Sequence, residues 1–446
     1  MSDLSNFAPQ ESDTVKRIYA WHKKMGESEP SRGYLGASIL GHECERNLWY
    51  NFRGCVPRSF SGRMFRLFET GNLEEPRMVK ELCAIGCEVH EVDPNTGEQF
   101  AVSALGGHFS GHMDGCAIGI PEAPLTWHVL EFKTHSEKSF AKLVTAGVAA
   151  SKPQHYAQVM VYMGLTGLTR ALYLGKNKNT DQLYAERIPY DSTAFKCLMN
   201  RAERIIKSTA PPERIAKRQD SFHCRFCAAK ELCWGTSDIA VPIPTKACRT
   251  CCHATPDTER EDAVWVCKKH NFDVSPVGSA SGCENHLLLP DLVSFAEPTD
   301  AGDDWIEFTN HEDAAVWRHG PGKGMFSTKE LITTAGPLGP PGAARVQAKG
   351  VQSVEPEPEP TGFELPKDLS LLAQYPWQDS ERVWDGPSSA LGEEITRLIG
   401  FSVAITPTAQ EKTAEWEAFE YGNHELLAVV YHTGDQHHAA IWRGKS

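Results

Sequence analysis

Gly111-His112-Met113-Asp114-Gly115, then Val129-Leu130-Glu131-Phe132-Lys133-Thr134 after a short gap, are the two segments from which the architecture can be read. On a β-strand side chains alternate, so Glu131 and Lys133 share one face while Leu130 and Phe132 turn to the other, toward a core. If the strand carrying Asp114 pairs with this one, two carboxylates and an ammonium meet at one point. Carboxylate oxygens hold Mg²⁺ or Mn²⁺, and such an ion polarises a phosphoryl oxygen and lowers the pKa of bound water. A lysine beside it orients or deprotonates the attacking water, or offsets transition-state charge. A Glu-x-Lys pair on a strand also arises as a solvated surface pair, so the flanking sequence has to arbitrate.

Upstream, Phe68-Glu69-Thr70-Gly71-Asn72-Leu73-Glu74-Glu75 places acids at what reads as the start of a helix over 71–82. Glu75, with Glu74 second, is the candidate to reach the same point; the alternative is an acid stabilising a helix N-terminus. Downstream, Gln158 and Tyr162 lie one helical turn apart, near Lys152, on a helix expected over 152–165. Ordinary amphipathic packing is the competing account of that pair. Further helices are expected over 14–24 and from Ser38 through Leu40, Cys44, Leu48 and Trp49, with strands at 99–103, 107–117, 128–134, 170–175 and 183–189. The alternation predicts an α/β core whose central mixed sheet is flanked by helices.

In this order the motifs resemble the PD-(D/E)xK nuclease superfamily, in its RecB-like and phage-exonuclease-like branch, where G-x-x-x-E, G-x-x-D, E-x-K and Q-x-x-x-Y follow one another. The resemblance covers about residues 35–240. It implies a restriction-endonuclease-like core in which Glu75, Asp114 and Glu131, with the backbone carbonyl of Phe132, bind the metal. Lys133 becomes the catalytic lysine, and Gln158 with Tyr162 holds the substrate strand or the site. Many RecB-like members carry a histidine where Glu75 falls.

Fourteen cysteines would suggest disulfides in a secreted chain, but here they cluster at the short spacings of metal ligands. Cys224-x2-Cys227-x5-Cys233 supplies three thiolates, and a tetrahedral set needs a fourth, for which Cys44 is the candidate. The iron–sulfur members of the same branch place one cysteine before the nuclease motifs and three after, with an arginine where Arg46 stands. That resemblance implies a [4Fe-4S] cluster on Cys44, Cys224, Cys227 and Cys233, with Zn²⁺ as the competing occupant. Trp49 and Trp234 would shield it. Cys248-x2-Cys251, Cys267 and Cys283, with Cys252 and His286 in reserve, have the texture of a zinc ribbon, with reduced buried thiols as the alternative. Cys55, Cys83, Cys87, Cys116 and Cys197 show no pattern and are read as core.

Net charge is −13, an unlikely balance for a protein that grips DNA phosphates, but it is unevenly spread: residues 1–240 hold 29 basic and 27 acidic residues, whereas 241–446 hold 16 and 31. Arg53, Arg58, Arg63 and Arg66, interleaved with Phe52, Phe60 and Phe65, suit a single strand. Arg201, Arg204, Lys207, Arg214, Lys217 and Arg218 form a second basic group that a solvated helix face explains equally well. The expected organisation is a nuclease domain over 1–240, a zinc module over 241–295 and a small accessory unit over 296–354. An acidic Pro-rich linker over 355–364, containing Glu-Pro repeats, then leads to a C-terminal α+β domain over 365–446. The first residues lack the basic and apolar blocks of a secretory signal, and no apolar run approaches the ~18 residues of a membrane span, so a bacterial cytoplasm is expected. The favoured activity is exonucleolytic processing of DNA ends in phage recombination or replication, alongside a recombinase or single-strand-binding partner. An endonuclease, or a non-catalytic iron–sulfur and zinc binding module, are the alternatives.

Overall fold

A computed structural model describes residues 12–28, 32–56 and 60–338, together with five strands between 381 and 443. It divides into two compact units, Met1–Lys349 and Gly350–Ser446.

The first unit opens with α1 (Asp13–Glu27), started by the Ser12 hydroxyl, which accepts from Val15 N. Then come β1 (Leu35–Gly36), α2 (Glu45–Phe52) and α3 (Gly62–Ala84). The helix expected from Ser38 to Trp49 is broken: Ala37–Ile39 is a short 3₁₀ turn and α2 starts only at Glu45, leaving Cys44 just ahead of it. Arg201 is the reason, because its guanidinium takes the carbonyls of Leu40 at 3.0 Å and His42 at 2.6 Å that a helix would have used itself. Helix α3 starts nine residues before the expected Gly71, capped by Ser61 at 3.3 Å from Met64 N. Glu74 and Glu75 therefore stand mid-helix, beyond reach of an N-terminal dipole.

The chain continues through β2 (Glu88–His90), β3 (Ala101–Ala104), β4 (Phe109–His112), β5 (Gly115–Ile118) and β6 (His128–His135). Helices α4 (Glu137–Ser151) and α5 (Pro153–Thr166) lead to β7 (Arg170–Asn177), β8 (Leu183–Pro189) and α6 (Ser192–Lys207). The single strand expected over 107–117 is two strands in different sheets. β4 joins β1 and β3, while β5 joins a five-stranded mixed sheet of order β2-β5-β6-β7-β8, in which β6 and β7 run parallel. The chain crosses between the sheets at Met113 and Asp114. Gly115 makes the crossing with φ +143°, and a Cβ there would stand 2.6 Å from the His90 carbonyl oxygen.

Helices cover both faces of the mixed sheet. Met78, Val79 and Leu82 of α3 pack with Leu130, Phe132, Leu172 and Leu174 on one face. Val129, Ala171 and Tyr173 on the other share a core with Val159, Met160 and Met163 of α5. Each of the valine, leucine, methionine and phenylalanine side chains among them, fully buried, contributes roughly 1.5–3 kcal/mol.

Beyond α7 (Lys230–Trp234), β9 (Ala254–Pro256), β10 (Trp265–Cys267) and β11 (Phe272–Val274) form an antiparallel sheet, and β12 (Ala296–Ala301), β13 (Ile306–Asn310) and β14 (Val316–His319) another, followed by α8 (Thr328–Thr333). The boundary expected at 240 falls inside the first unit, since Val241, Trp265 and Leu288 are buried in the same core as Leu48, Trp49 and Phe109. Arg53 lies 5.4 Å from the Trp49 ring and 5.1 Å from that of Trp265, clamping the two parts together. The linker expected over 355–364 lies outside the described residues. In the second unit β15 (Glu381–Pro387), β16 (Gln410–Lys412), β17 (Trp416–Tyr421), β18 (Leu426–Thr433) and β19 (Gln436–Arg443) form an antiparallel sheet of order β15-β19-β18-β17-β16. Only strands occur among its described residues. No described helix is long and apolar enough to cross a membrane.

Candidate active site

Pairing of β5 with β6 ends at Gly115↔Leu130, and the next amide on that edge, Phe132 N–H, donates instead to Asp114 Oδ2 at 2.7 Å. The sheet crossing thus plants a carboxylate at the end of the ladder. Lys133 reaches back along its own strand: its ammonium pairs with Glu131 Oε1, donates to the Phe132 carbonyl at 3.0 Å, and lies 3.9 Å from Asp114 Oδ2. Glu131 is fully buried, and its Oε2 has no hydrogen-bond partner among the described residues.

Burial pushes the Glu131 carboxyl up to about 7, partly offset by Lys133 and reinforced by Asp114 and Glu75. Glu75 on α3 is likewise raised to about 7, by burial and then by Asp114, with Lys133 opposing. Burial works against the Lys133 ammonium, but Glu131 and Asp114 outweigh it and hold the group protonated above its usual range. Three carboxyls and one lysine therefore form a single electrostatic unit at the ends of β5 and β6. A cleft of about 320 Å³ opens beside it, lined by Phe68, Glu75, Phe132, Lys133, Thr134 and Lys178 among others. Glu74 is committed elsewhere: Lys176 Nζ lies 2.5 Å from its Oε1 and 2.6 Å from Asp181, tying α3 to the β7–β8 hairpin.

Gln158 and Tyr162 are buried behind the cluster rather than open to the cleft. Gln158 Nε2 donates to Tyr162 Oη at 3.1 Å, and Tyr162 Oη donates to the His112 carbonyl at 2.7 Å, fixing the strand end that leads to Asp114. Gly111 leaves the room for this, since a Cβ there would stand 2.8 Å from the tyrosine ring.

A second polar group lies under the same face and was missed in the sequence. Tyr173, directly opposite Glu131 in the parallel register, has its hydroxyl 2.9 Å from His135 Nε2 and 2.8 Å from His155 Nδ1. Burial depresses His155 to about 3, with Lys133, His135 and Lys152 adding to it, and His135 to about 4, with Lys152, Lys133 and Lys178 adding. The signals were present: His135 continues the Glu131, Lys133 alternation, and His155 precedes Gln158 by three residues on one helix face.

Cys44, Cys224, Cys227 and Cys233 wall one small cavity together with Tyr50 and Trp234. The Cys227 thiol is pushed up by burial, and by Cys44, Cys233 and Cys224. Arg46 ties this wall to the Pro212 carbonyl at 2.9 Å, Trp49 is fully buried, and Arg214 lies 4.6 Å over the Trp234 ring. In the second set burial raises Cys248 to about 12, followed by Cys251, Cys283 and Cys267. Both reserve ligands have other partners here. Both ring nitrogens of His286 are engaged, at 2.8 Å from Thr328 Oγ1 and 2.8 Å from the Ala247 carbonyl, and Cys252 Sγ faces the Leu288 carbonyl at 3.3 Å. Among the described residues no three His, Cys, Asp or Glu side chains stand close enough to enclose a metal ion. Of the cysteines read as core, Cys55 and Cys87 are buried but Cys83 and Cys197 are exposed.

The expected phosphate-binding groups divide. Arg53 and Phe52 are buried, with Arg53 donating to the Ser208 and Arg249 carbonyls, so neither can meet a substrate. Arg201 is spent on the 40–43 backbone, whereas Arg204, Lys207, Arg214, Lys217 and Arg218 are exposed, four of them in surface contacts with Glu45, Glu203, the Cys233 carbonyl and Asp220. Arg63, Arg66 and Phe60 are exposed, with Phe60 in edge contact with Phe65 and Phe68, the latter at the cleft wall. Arg58 lies outside the described residues.

No family model and no curated protein matches the chain. Among solved structures it is similar to an alkaline exonuclease (LHK-Exo) from Laribacter hongkongensis, at 15% identity and a TM-score of 0.30, over 43% of this chain and 90% of that one. The same exonuclease in complex with dAMP gives 14% and 0.28, over 43% and 90%. The protein SSO0001 gives 13% and 0.32, over 51% and 98%.

Proposed function

We propose that this chain is a metal-dependent deoxyribonuclease of the PD-(D/E)xK type, acting as an exonuclease on DNA ends. The observation that carries the reading is the meeting of Asp114, Glu131 and Lys133 at the crossing between two sheets, with Glu75 brought in from α3. Glu75, Asp114 and Glu131, with the Phe132 carbonyl, would hold Mg²⁺ or Mn²⁺. The donor type suits such an ion, since the carboxyls are oxygen ligands, two of them are raised to about 7 by burial and crowding, and one buried oxygen lacks a partner, but the three would have to draw closer than they stand here to share it. A divalent ion so held polarises a phosphoryl oxygen and supplies an ionisable water.

The chain's own residues do the rest. Lys133, kept protonated, attracts the phosphate and offsets charge as it builds on the non-bridging oxygens. Asp114 is locked in place by the Phe132 amide, so its second oxygen keeps a fixed direction. Tyr162 and Gln158 keep the backbone before Asp114 from shifting. Phe68 and Lys178 on the cleft wall suit a base and a phosphate.

For the four cysteines around the first cavity a [4Fe-4S] cluster is the favoured occupant, with Zn²⁺ competing, and Zn²⁺ is favoured for Cys248, Cys251, Cys267 and Cys283. What supports the first is that Cys44 lines one cavity with Cys224, Cys227 and Cys233 from far along the chain, and what supports the second is the crowding of Cys248 by Cys251, Cys283 and Cys267. A place in phage recombination or replication, in a bacterial cytoplasm beside a recombinase or single-strand-binding protein, belongs to the same reading. Purified protein with Mn²⁺ should shorten linear DNA and spare covalently closed circles. Cutting of circles would move the reading to an endonuclease. Intact DNA of both forms, with metal content confirmed, would favour a non-catalytic binding module.

A further inference from the structure

Tyr173 Oη lies between two imidazoles, 2.9 Å from His135 Nε2 and 2.8 Å from His155 Nδ1. A phenol has one proton to give and lone pairs to receive another, so a fully satisfied arrangement has an N–H on one of these nitrogens and a lone pair on the other. Ser139 Oγ faces His135 Nδ1 at 3.3 Å and closes the far end of the chain. Two hydrogen-bond patterns satisfy every member. In the first, Ser139 donates to His135, His135 to Tyr173, and Tyr173 to His155 Nδ1, which leaves His155 with an Nε2–H. In the second every bond is reversed and His155 Nε2 carries a lone pair.

The near end is open. His155 is half-buried at the start of α5, its ring tilted 23° to that of Tyr173 at 5.8 Å, and its Nε2 has no hydrogen-bond partner among the described residues. A half-buried nitrogen in this position is open to water or to a ligand. The middle member of the hydrogen-bond chain, Tyr173, stands opposite Glu131, the partner of Lys133, and the open end is His155. An oxygen anion drawn in by the Lys133 ammonium would accept from that nitrogen and so select the first pattern.

We infer that His155 is a further substrate-contacting residue of this site: an uncharged imidazole whose Nε2–H, set by the Ser139, His135 and Tyr173 relay, donates to a phosphate oxygen held beside Lys133. The inference rests on the nuclease reading and adds to it a neutral donor for the substrate backbone. Asparagine at 155 places its amide near the old Nδ1 and can keep the Tyr173 bond but cannot reach as far as Nε2, whereas glutamine reaches the Nε2 position. With a labelled linear DNA and Mn²⁺, His155→Asn should raise KM about tenfold, and His155→Gln should return it to within about threefold of the parent, as expected for one hydrogen bond to a charged acceptor. Both variants should keep the parent's thermal midpoint. Equal KM for parent and His155→Asn, or a loss in both variants that tracks a fall in thermal midpoint, would overturn the inference while leaving the nuclease reading intact. A parent that neither binds an oligodeoxynucleotide nor degrades DNA would remove both.

Discussion

The cleft at the end of β6 and the cavity walled by Cys44, Cys224, Cys227 and Cys233 are built by opposite means. In the cleft, sheet register does the placing: Gly115↔Leu130 and Glu131↔Tyr173 fix where each side chain stands, and Asp114 is pinned by a backbone amide. The cluster also carries its own counter-charge in Lys133. The cysteine cavity has no ladder through it. One wall is the residue ahead of α2, and the others come from a turn and a short helix near 224–233, far along the chain. Bringing such segments together costs loop-closure entropy that a cross-linking metal offsets. Ladder-built chemistry should therefore survive loss of a ligand, and loop-built chemistry should not.

The largest expected effect follows directly. With the proposed metal at the first set, Cys227→Ser should release it and most of the folded fraction with it, read by circular dichroism and by iron and zinc content. A variant that stays folded and active would break the contrast. Next comes the pair on α3: Glu75→Gln should cut DNA hydrolysis by about a hundredfold, as for loss of one metal-facing charge, while Glu74→Gln stays within a few-fold and loses up to about 1 kcal/mol with its Lys176 link. Equal losses in the two would mean the helix face has been misread.

A smaller effect concerns pH. Glu131 is raised to about 7 from an ordinary 4.5, so between those values the folded state binds more protons than the unfolded one. Its contribution to stability is complete below about 4.5 and declines as pH rises to 7. His135 and His155, lowered to about 4 and about 3, act oppositely, their contribution being lost as pH falls below 6.5. The difference between parent and Glu131→Gln isolates the carboxyl: in metal-free buffer the parent should lose on the order of 2 kcal/mol relative to the variant between pH 5 and pH 8. Parallel curves would mean Glu131 stays ionised throughout.

What the sequence disclosed divides along the same line. Alternation at Leu130, Glu131, Phe132 and Lys133 was legible because the strand is covered on both faces and period two leaves one solution. The order of Glu75, Asp114, Glu131, Gln158 and Tyr162 marked the elements that meet. The break at Asp114 was not legible, because Gly111 and Gly115 bracket a crossing that reads as one strand until its two partners are known. Nor was the start of α3, where Gly71 and Pro76 look like punctuation but sit inside the helix. The arginines were the deepest failure: Arg53 and Arg201 look like phosphate ligands, yet carbonyls at Ser208, Arg249, Leu40 and His42 claim them.

The central claim is that Asp114, Glu131 and Lys133 together hydrolyse a nucleic-acid backbone. It is tested most directly by single-turnover cleavage of a labelled linear duplex with Mn²⁺, comparing the parent with Lys133→Ala and Asp114→Asn, each checked for an unchanged thermal midpoint. The account predicts cleavage by the parent and a drop of about a thousandfold or more in either variant. Parent-like cleavage by both variants would contradict it.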